Sequence, residues 1–159
     1  MPVHVVGEAT VDGDDPFAGD ADAVYCQAGR LGGFKLDVED TASLTLSHRR
    51  GSVSEVHLDM VSRAPRRGIE LSFARATVVL DWMASTMRVY SASTRRWTSA
   101  RLAAHNIENY LSAARAFLAA VRRPSRGGGI VTVEEGLRTL AVVAAAKKSS
   151  LSRRRERVA

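Results

Sequence analysis

Two stretches near the end of the chain decide the fold: NIENYLSAARAFLAAVRR at residues 106–123 and TVEEGLRTLAVVAAAKKSS at 132–150. In the first, Ile107, Tyr110, Leu111, Ala114, Phe117, Leu118 and Val121 recur at intervals of three and four residues, which predicts a helix with one apolar stripe. Pro124 and the run Gly127-Gly128-Gly129 end it. In the second, Thr132 precedes Glu135 by three residues, the spacing of a capping box. The hydroxyl accepts from the third helical N–H, and the carboxylate reaches back to the cap's own N–H. Leu137, Leu140, Ala141 and Ala144 are expected to face a sheet, and Lys147 and Lys148 to lie near the C-terminal end, where the helix dipole favours cations.

Everything upstream reads as strand and turn. PVHVVGEATV predicts a first strand and DAVYCQAGRL a second, separated by the turn-rich DGDDPFAGDAD. In EDTASLTLSHRRG, Ala42, Leu44 and Leu46 alternate with Thr41, Ser43, Thr45 and Ser47, a period of two that marks a half-buried strand. Arg50-Gly51 supplies a turn, and SVSEVHLDMVS returns with Val56, Leu58 and Met60 on one face and Glu55, His57 and Asp59 on the other. GIELSFA, ATVVLDW, TMRVYS and RRWTS follow as short strands with no helix between them, the pattern of an antiparallel meander. The expected fold class is therefore α+β: an open, mostly antiparallel sheet with two C-terminal helices packed on one face, in one domain over residues 1–159. The final SRRRERVA, residues 152–159, reads either as a last short strand or as a basic tail.

With 159 residues, of which 45% are hydrophobic and 25% charged, the chain has the composition of a globular domain with a core. No apolar run approaches the roughly 18 residues of a membrane span, and no secretory leader is read at the N-terminus. Cys26 is the only cysteine, so no internal disulfide forms, which fits a reducing, cytoplasmic setting. The charge is unevenly placed: residues 1–40 hold nine acids against two bases, in a chain whose total is +6. Such basicity attracts polyanions non-specifically but lacks the motif that nucleic-acid recognition needs.

Motifs for chemistry are sparse. Gly127-Gly128-Gly129 precedes a helix but follows another helix, whereas a dinucleotide fingerprint needs a strand before its glycines, so an interhelical loop is the better reading. Asp12, Asp14, Asp15, Asp20 and Asp22 miss the spacing of a calcium loop, because Pro16 and Phe17 stand where a ligand and a glycine are required. No metal site is expected, and no nucleophile–base–orienter set can be assembled. His57 and Asp59, two apart on a strand, leave the same face and form a polar strip with Glu55 and Arg63. That strip either contacts substrate or is the wet face of a one-sided sheet. Arg63, Arg66 and Arg67 suit a phosphorylated or carboxylated ligand, or are surface charges. The candidate substrate-facing residues are thus His57, Asp59, Arg63 and Arg66.

From about Glu39 to Arg157, four pieces follow in order: VEDTASLTLSHRRGSVSEVHLDMVSR, RRGIELSFARATVVLDW, NIENYLSAARAFLAAVR and TVEEGLRTLAVVAAAKKSS. Their order and spacing resemble the C-terminal domain of the Gfo/Idh/MocA family of NAD(P)-dependent oxidoreductases, over about three-quarters of the chain. The resemblance implies an open antiparallel sheet that helps enclose a sugar-like substrate and builds an oligomer interface, paired in the family with an N-terminal Rossmann domain. The family's Gly-rich cofactor turn, its Glu-Lys-Pro motif and its Asp-x-x-x-His motif have no counterpart here, so no catalytic or cofactor-binding residue is carried over. One local departure is Ala74-Arg75-Ala76, where the family commonly has a glycine turn. Two functions are therefore expected. One is a truncated or stand-alone substrate-binding and oligomerisation domain of such an oxidoreductase, acting on a sugar or cyclitol derivative and binding no NAD(P) alone. The other is a non-catalytic homo-oligomerisation or ligand-binding module.

Overall fold

The computed structural model describes residues 3–8, 20–35, 37–102, 106–123 and 130–159, with side chains left undescribed at 3–8 and 106–108. The strands are β1 (Val3–Glu8), β2 (Ala21–Gly29), β3 (Thr41–His48), β4 (Val53–Asp59), β5 (Arg67–Phe73), β6 (Ala76–Asp81), β7 (Thr86–Ser91), β8 (Arg96–Arg101) and β9 (Glu156–Arg157). The helices are α1 (Asn106–Arg122) and α2 (Val133–Ser152). They form one nine-stranded open sheet in the order β8-β7-β6-β5-β1-β4-β3-β2-β9. It consists of two antiparallel groups of four strands joined through β1, which lies antiparallel to β4 and parallel to β5. The expected α+β class and mostly antiparallel open sheet are what the chain forms. The place of β1 at the centre differs from a simple meander, and nothing in the local pattern of PVHVVGEATV encodes it.

Local chemistry accounts for the hairpins. Gly51 takes φ +85° in the turn after β3, a conformation that costs a glycine nothing, and its N–H donates to the His48 carbonyl at 2.9 Å. The four-residue loops after β6 and β7 close with Ser85 and Arg95 in the left-handed region. At Ala74-Arg75 neither residue has positive φ, so the two-residue loop turns without the glycine geometry seen at Gly51.

Alternation carries each strand's burial. In β2, Val24 and Cys26 point to the helix side and are 0% and 4% exposed, while Tyr25 between them is exposed on the other side. Cys26 is thus a small core residue, and its burial pushes the thiol's pKa up, with the Glu39 charge adding to it. The core is α2 against β2: Val24 and Cys26 meet Ala145 and Ala146, with Leu44, Leu46, Ala28 and Val158 packed around them. The stripe of α2 that faces the sheet is therefore Ala145, Ala146 and Ser149. Leu137 and Leu140, expected there, are 59% and 63% exposed instead. Small side chains win because the helix must come close enough to hydrogen-bond the sheet.

That bonding seals one end of the sheet. β9 pairs with β2 only at Ala23 and Val24, so residues 156–157 of the tail are a strand. Beyond β9, the Cys26 N–H donates to Ser149 Oγ at 2.9 Å, and Ser149 Oγ donates to the Arg154 carbonyl at 2.5 Å. The Ala28 N–H donates to Ser150 Oγ at 3.1 Å, and that hydroxyl donates back to the Ala28 carbonyl at 3.3 Å. The two serines thus continue the ladder where no strand remains. The capping box at Thr132 and Glu135 is formed as expected. Lys148 pairs with Glu156 of β9 at 2.6 Å, holding that carboxyl below its ordinary range. Among the described residues α1 packs extensively against no other element, and Tyr110 and Phe117 of its apolar stripe are 79% and 60% exposed.

Asp40 fastens the loop between β2 and β3. It is 3% exposed, and its two carboxylate oxygens accept from the Leu31 N–H at 2.8 Å and the Gly32 N–H at 2.9 Å. The Thr41 hydroxyl donates to it as well. Chiefly the Leu31 bond, with those from Gly32 and Thr41, lowers its pKa from 3.8 against the opposing effect of burial.

Two predictions follow from these contacts. Ser149→Ala leaves the buried Cys26 N–H without its acceptor and removes the bond to the Arg154 carbonyl, and should cost about 1–3 kcal/mol. Thermal unfolding should show this as a fall of roughly 2–4 °C per kcal/mol, while Ser150→Ala, which is half-buried, should cost less. Because the folded pKa of Asp40 is depressed, its stabilisation is present above about pH 3.8 and lost as pH falls through the folded value. The gap in melting temperature between the wild-type chain and Asp40→Asn should therefore narrow between pH 5 and pH 2; a constant gap would contradict the assignment.

Candidate functional site

The face of the sheet opposite α2 is polar at its β2–β4 end, and strand register explains why. Gln27 pairs with Ser43 and Ser43 with His57; one step along, Tyr25 pairs with Thr45 and Thr45 with Glu55. Cross-strand partners share a face, so six polar side chains stand in two rows of three. They surround a shallow hollow of about 400 Å³.

Within it, Ser43 Oγ lies 2.8 Å from His57 Nδ1, and Gln27 Nε2 donates to Tyr25 Oη at 3.1 Å. The order Ser43–His57–Asp59 is suggestive of nucleophilic catalysis, but the geometry does not support it. His57 Nε2 is 3.8 Å from Asp59 Oδ2, beyond a hydrogen bond, and its side chain is 51% exposed. Asp59 is occupied elsewhere: its Oδ1 accepts from the N–H groups of Val61 and Ser62, closing the turn after β4. What the hollow can do is offer donors and acceptors to a hydroxylated ligand or to a second polar surface.

The four residues singled out from sequence are not gathered into one site. His57 lines this hollow. Asp59, with a side chain 18% exposed, anchors the turn beside it. Arg63 and Arg66 are exposed in the β4–β5 connection, and Arg66 lines a separate hollow of about 230 Å³ with Pro65, Arg67 and Met83. Arg67 stands 5.8 Å from the Trp82 ring. Tyr25 and Gln27 belong with His57 but were not singled out; their alternation with the apolar Val24 and Cys26 was the available signal. Among the described residues no group of three or more His, Cys, Asp or Glu could hold a metal ion. Of the acidic stretch, Asp20 and Asp22 are in ion pairs with Arg138 and Arg49, and Asp12, Asp14 and Asp15 lie outside the described residues. So do the glycines at 127–129.

The apolar face is the larger feature. Following the register across the sheet, Cys26, Leu44, Val56, Ile69, Leu80 and Met87 occupy one row, with Val5 of β1 at the position between Val56 and Ile69. Leu71, Val78 and Val89 occupy the next. Among the described residues α2 covers only the β2 end of these rows, and Val56, Ile69, Leu71, Val78, Leu80, Met87 and Val89 stay half-exposed.

No helix among the described residues is long and apolar enough to cross a membrane. No family model matches the sequence, and no curated protein matches it. Solved structures do. An NAD binding oxidoreductase from Klebsiella pneumoniae matches with TM-score 0.74 at 12% identity, over 100% of this chain and 59% of its own. An aldose-aldose oxidoreductase from Caulobacter crescentus, complexed with glycerol, matches with TM-score 0.64 at 18% identity, over 98% and 56%. A super-repressor mutant of Gal80p from Saccharomyces cerevisiae matches with TM-score 0.70 at 9% identity, over 99% and 57%. The chain spans just over half the length of each of these. It has the fold that part of each of these chains adopts, and the resemblance read from its sequence holds at the level of the fold.

Proposed function

We propose that this chain is the C-terminal, substrate-side and assembly domain of a Gfo/Idh/MocA-like oxidoreductase that acts in the cytoplasm on a sugar or cyclitol derivative. The observation that carries the reading is the half-exposed apolar face made by residues of β4, β5, β6 and β7, together with the exposed stripe of α1. Val56, Ile69, Leu71, Val78, Leu80, Met87 and Val89 lie half-exposed side by side on one face, and contiguous exposed apolar surface marks interaction sites. Its length relative to its structural neighbours supports the same reading. In this role NAD(P) is held by a Rossmann domain, in the same polypeptide or separately encoded, and this chain supplies none of the hydride-transfer machinery. His57, and Asp59 through the carboxylate oxygen that does not close the turn, would offer hydrogen bonds to substrate hydroxyls, and Arg63 and Arg66 in the neighbouring connection would suit a phosphate or carboxylate.

A second reading, a non-catalytic homo-oligomerisation or ligand-binding module, is favoured by one finding. Its fold neighbours include a repressor as well as enzymes, and fold does not choose between such roles. Light scattering bears on it: a concentration-independent monomer would remove the assembly role.

Probing the native source with an antibody against α2 tests the first reading. The expected band has close to twice the 17.2 kDa of this chain, from an upstream cofactor domain of ordinary size. A band at the chain's own mass requires a separate cofactor domain, and failure to find one would remove the oxidoreductase role. Titration of the isolated chain with NAD should show no binding; saturable binding would contradict the division of labour.

A further inference from the structure

The two ends of the sheet are finished differently. At one, β9, Ser149 and Ser150 satisfy the outer edge of β2. At the other, β8 is the last strand, all six of its residues are exposed, and no strand pairs with its outer edge among the described residues. An open edge of this kind is a template for another chain.

The charge around that edge is of one sign. Between Asp81 and Glu108 the sequence has no acid and four arginines: Arg88, Arg95, Arg96 and Arg101. Arg75 joins them, since its carbonyl accepts from the Ala92 N–H at 3.0 Å. None of the five is in an ion pair among the described residues. Arg88 lies 4.4 Å over the ring of Trp97, which is itself 45% exposed and 5.4 Å from Tyr90. The arginines protect the edge against its own kind. If two copies paired symmetrically through β8, with the twofold axis between Thr98 and Ser99, Arg96 would face Arg101 twice, and like charges directly opposite destabilise a strand pair. The same charges become attractive when the incoming strand carries carboxylates.

We infer that the β8 edge is a docking site for an extended acidic peptide segment of a partner protein, added as a tenth strand beside Arg96–Arg101. Main-chain hydrogen bonds to β8 supply the affinity, carboxylates opposite Arg96 and Arg101 set the register, and Trp97 offers an apolar surface to the strand's middle. This inference stands on the edge alone and does not depend on the oxidoreductase reading.

The test uses a fluorescent, end-capped ten-residue peptide of Thr and Val with two Glu placed five residues apart. Three competitors accompany it: the same peptide N-methylated at alternate residues, its Lys counterpart, and a short single-stranded DNA. The expected result is saturable binding of the acidic peptide with a change in tryptophan emission, weakened at least tenfold by Arg96→Glu/Arg101→Glu. That variant should fold normally, because both side chains are exposed and unpaired. The N-methylated peptide, with equal charge but no N–H on the edge that faces β8 when its Glu residues stand opposite Arg96 and Arg101, should bind at least tenfold more weakly. Equal binding of the N-methylated peptide or of the DNA would reduce the site to polyanion attraction and overturn the inference. So would no binding at low salt, or binding of the Lys peptide as tight as that of the Glu peptide.

Discussion

The structure depends on the seam between α2 and β2. A nine-stranded open sheet with a single packed helix has little interior, and almost all of it lies where Val24 and Cys26 meet Ala145 and Ala146. The seam works because the α2 residues are small. Alanine lets the helix axis approach until Ser149 and Ser150 can reach the β2 backbone, and their hydroxyls then take the hydrogen bonds a longer β9 would have made. A larger side chain at 145 or 146 would lift the helix and leave the Cys26 and Ala28 N–H groups buried without partners, a loss of both packing and polar satisfaction.

From that seam the rest of the molecule becomes progressively more open. Beyond β3 no helix packs on the apolar face among the described residues, α1 presents its stripe outward, and β8 ends the sheet with arginines. One side of the sheet is thus largely apolar and half-exposed, and the other is a polar grid around His57. Neither side carries an assembled catalytic set, and the one Ser–His–Asp sequence of contacts is broken by a 3.8 Å gap and by the turn that occupies Asp59.

Much of this was legible in the sequence because it is local. The alternation in residues 41–48 and 53–59, Gly51 in its turn, and the Thr132–Glu135 box each depend on neighbours a few residues away. What was not legible depends on distant pairing. The insertion of β1 between β4 and β5 is set by contacts with residues some fifty and sixty positions on. The sheet-facing side of α2 was misplaced by about one residue in the helical wheel, because Leu137 and Leu140 outrank alanine in hydrophobicity while Ser149 looks polar; only the unpaired edge of β2 explains why a serine is fully buried. At the candidate site, alternation placed His57 and Glu55 on the polar face with Ser43 and Thr45. Tyr25 and Gln27 joined them through register, which no single strand reveals.

The most direct measurement is native-state hydrogen exchange resolved by residue. The slowest amides should be those of β2, β3 and the Ser149 end of α2, with Cys26 and Ala28 among them although they lie at the sheet's edge. Those of β6 to β8 should exchange markedly faster in the isolated chain. Uniform slow exchange from β2 through β8 would contradict this, since the open apolar face would then need no cover to be stable.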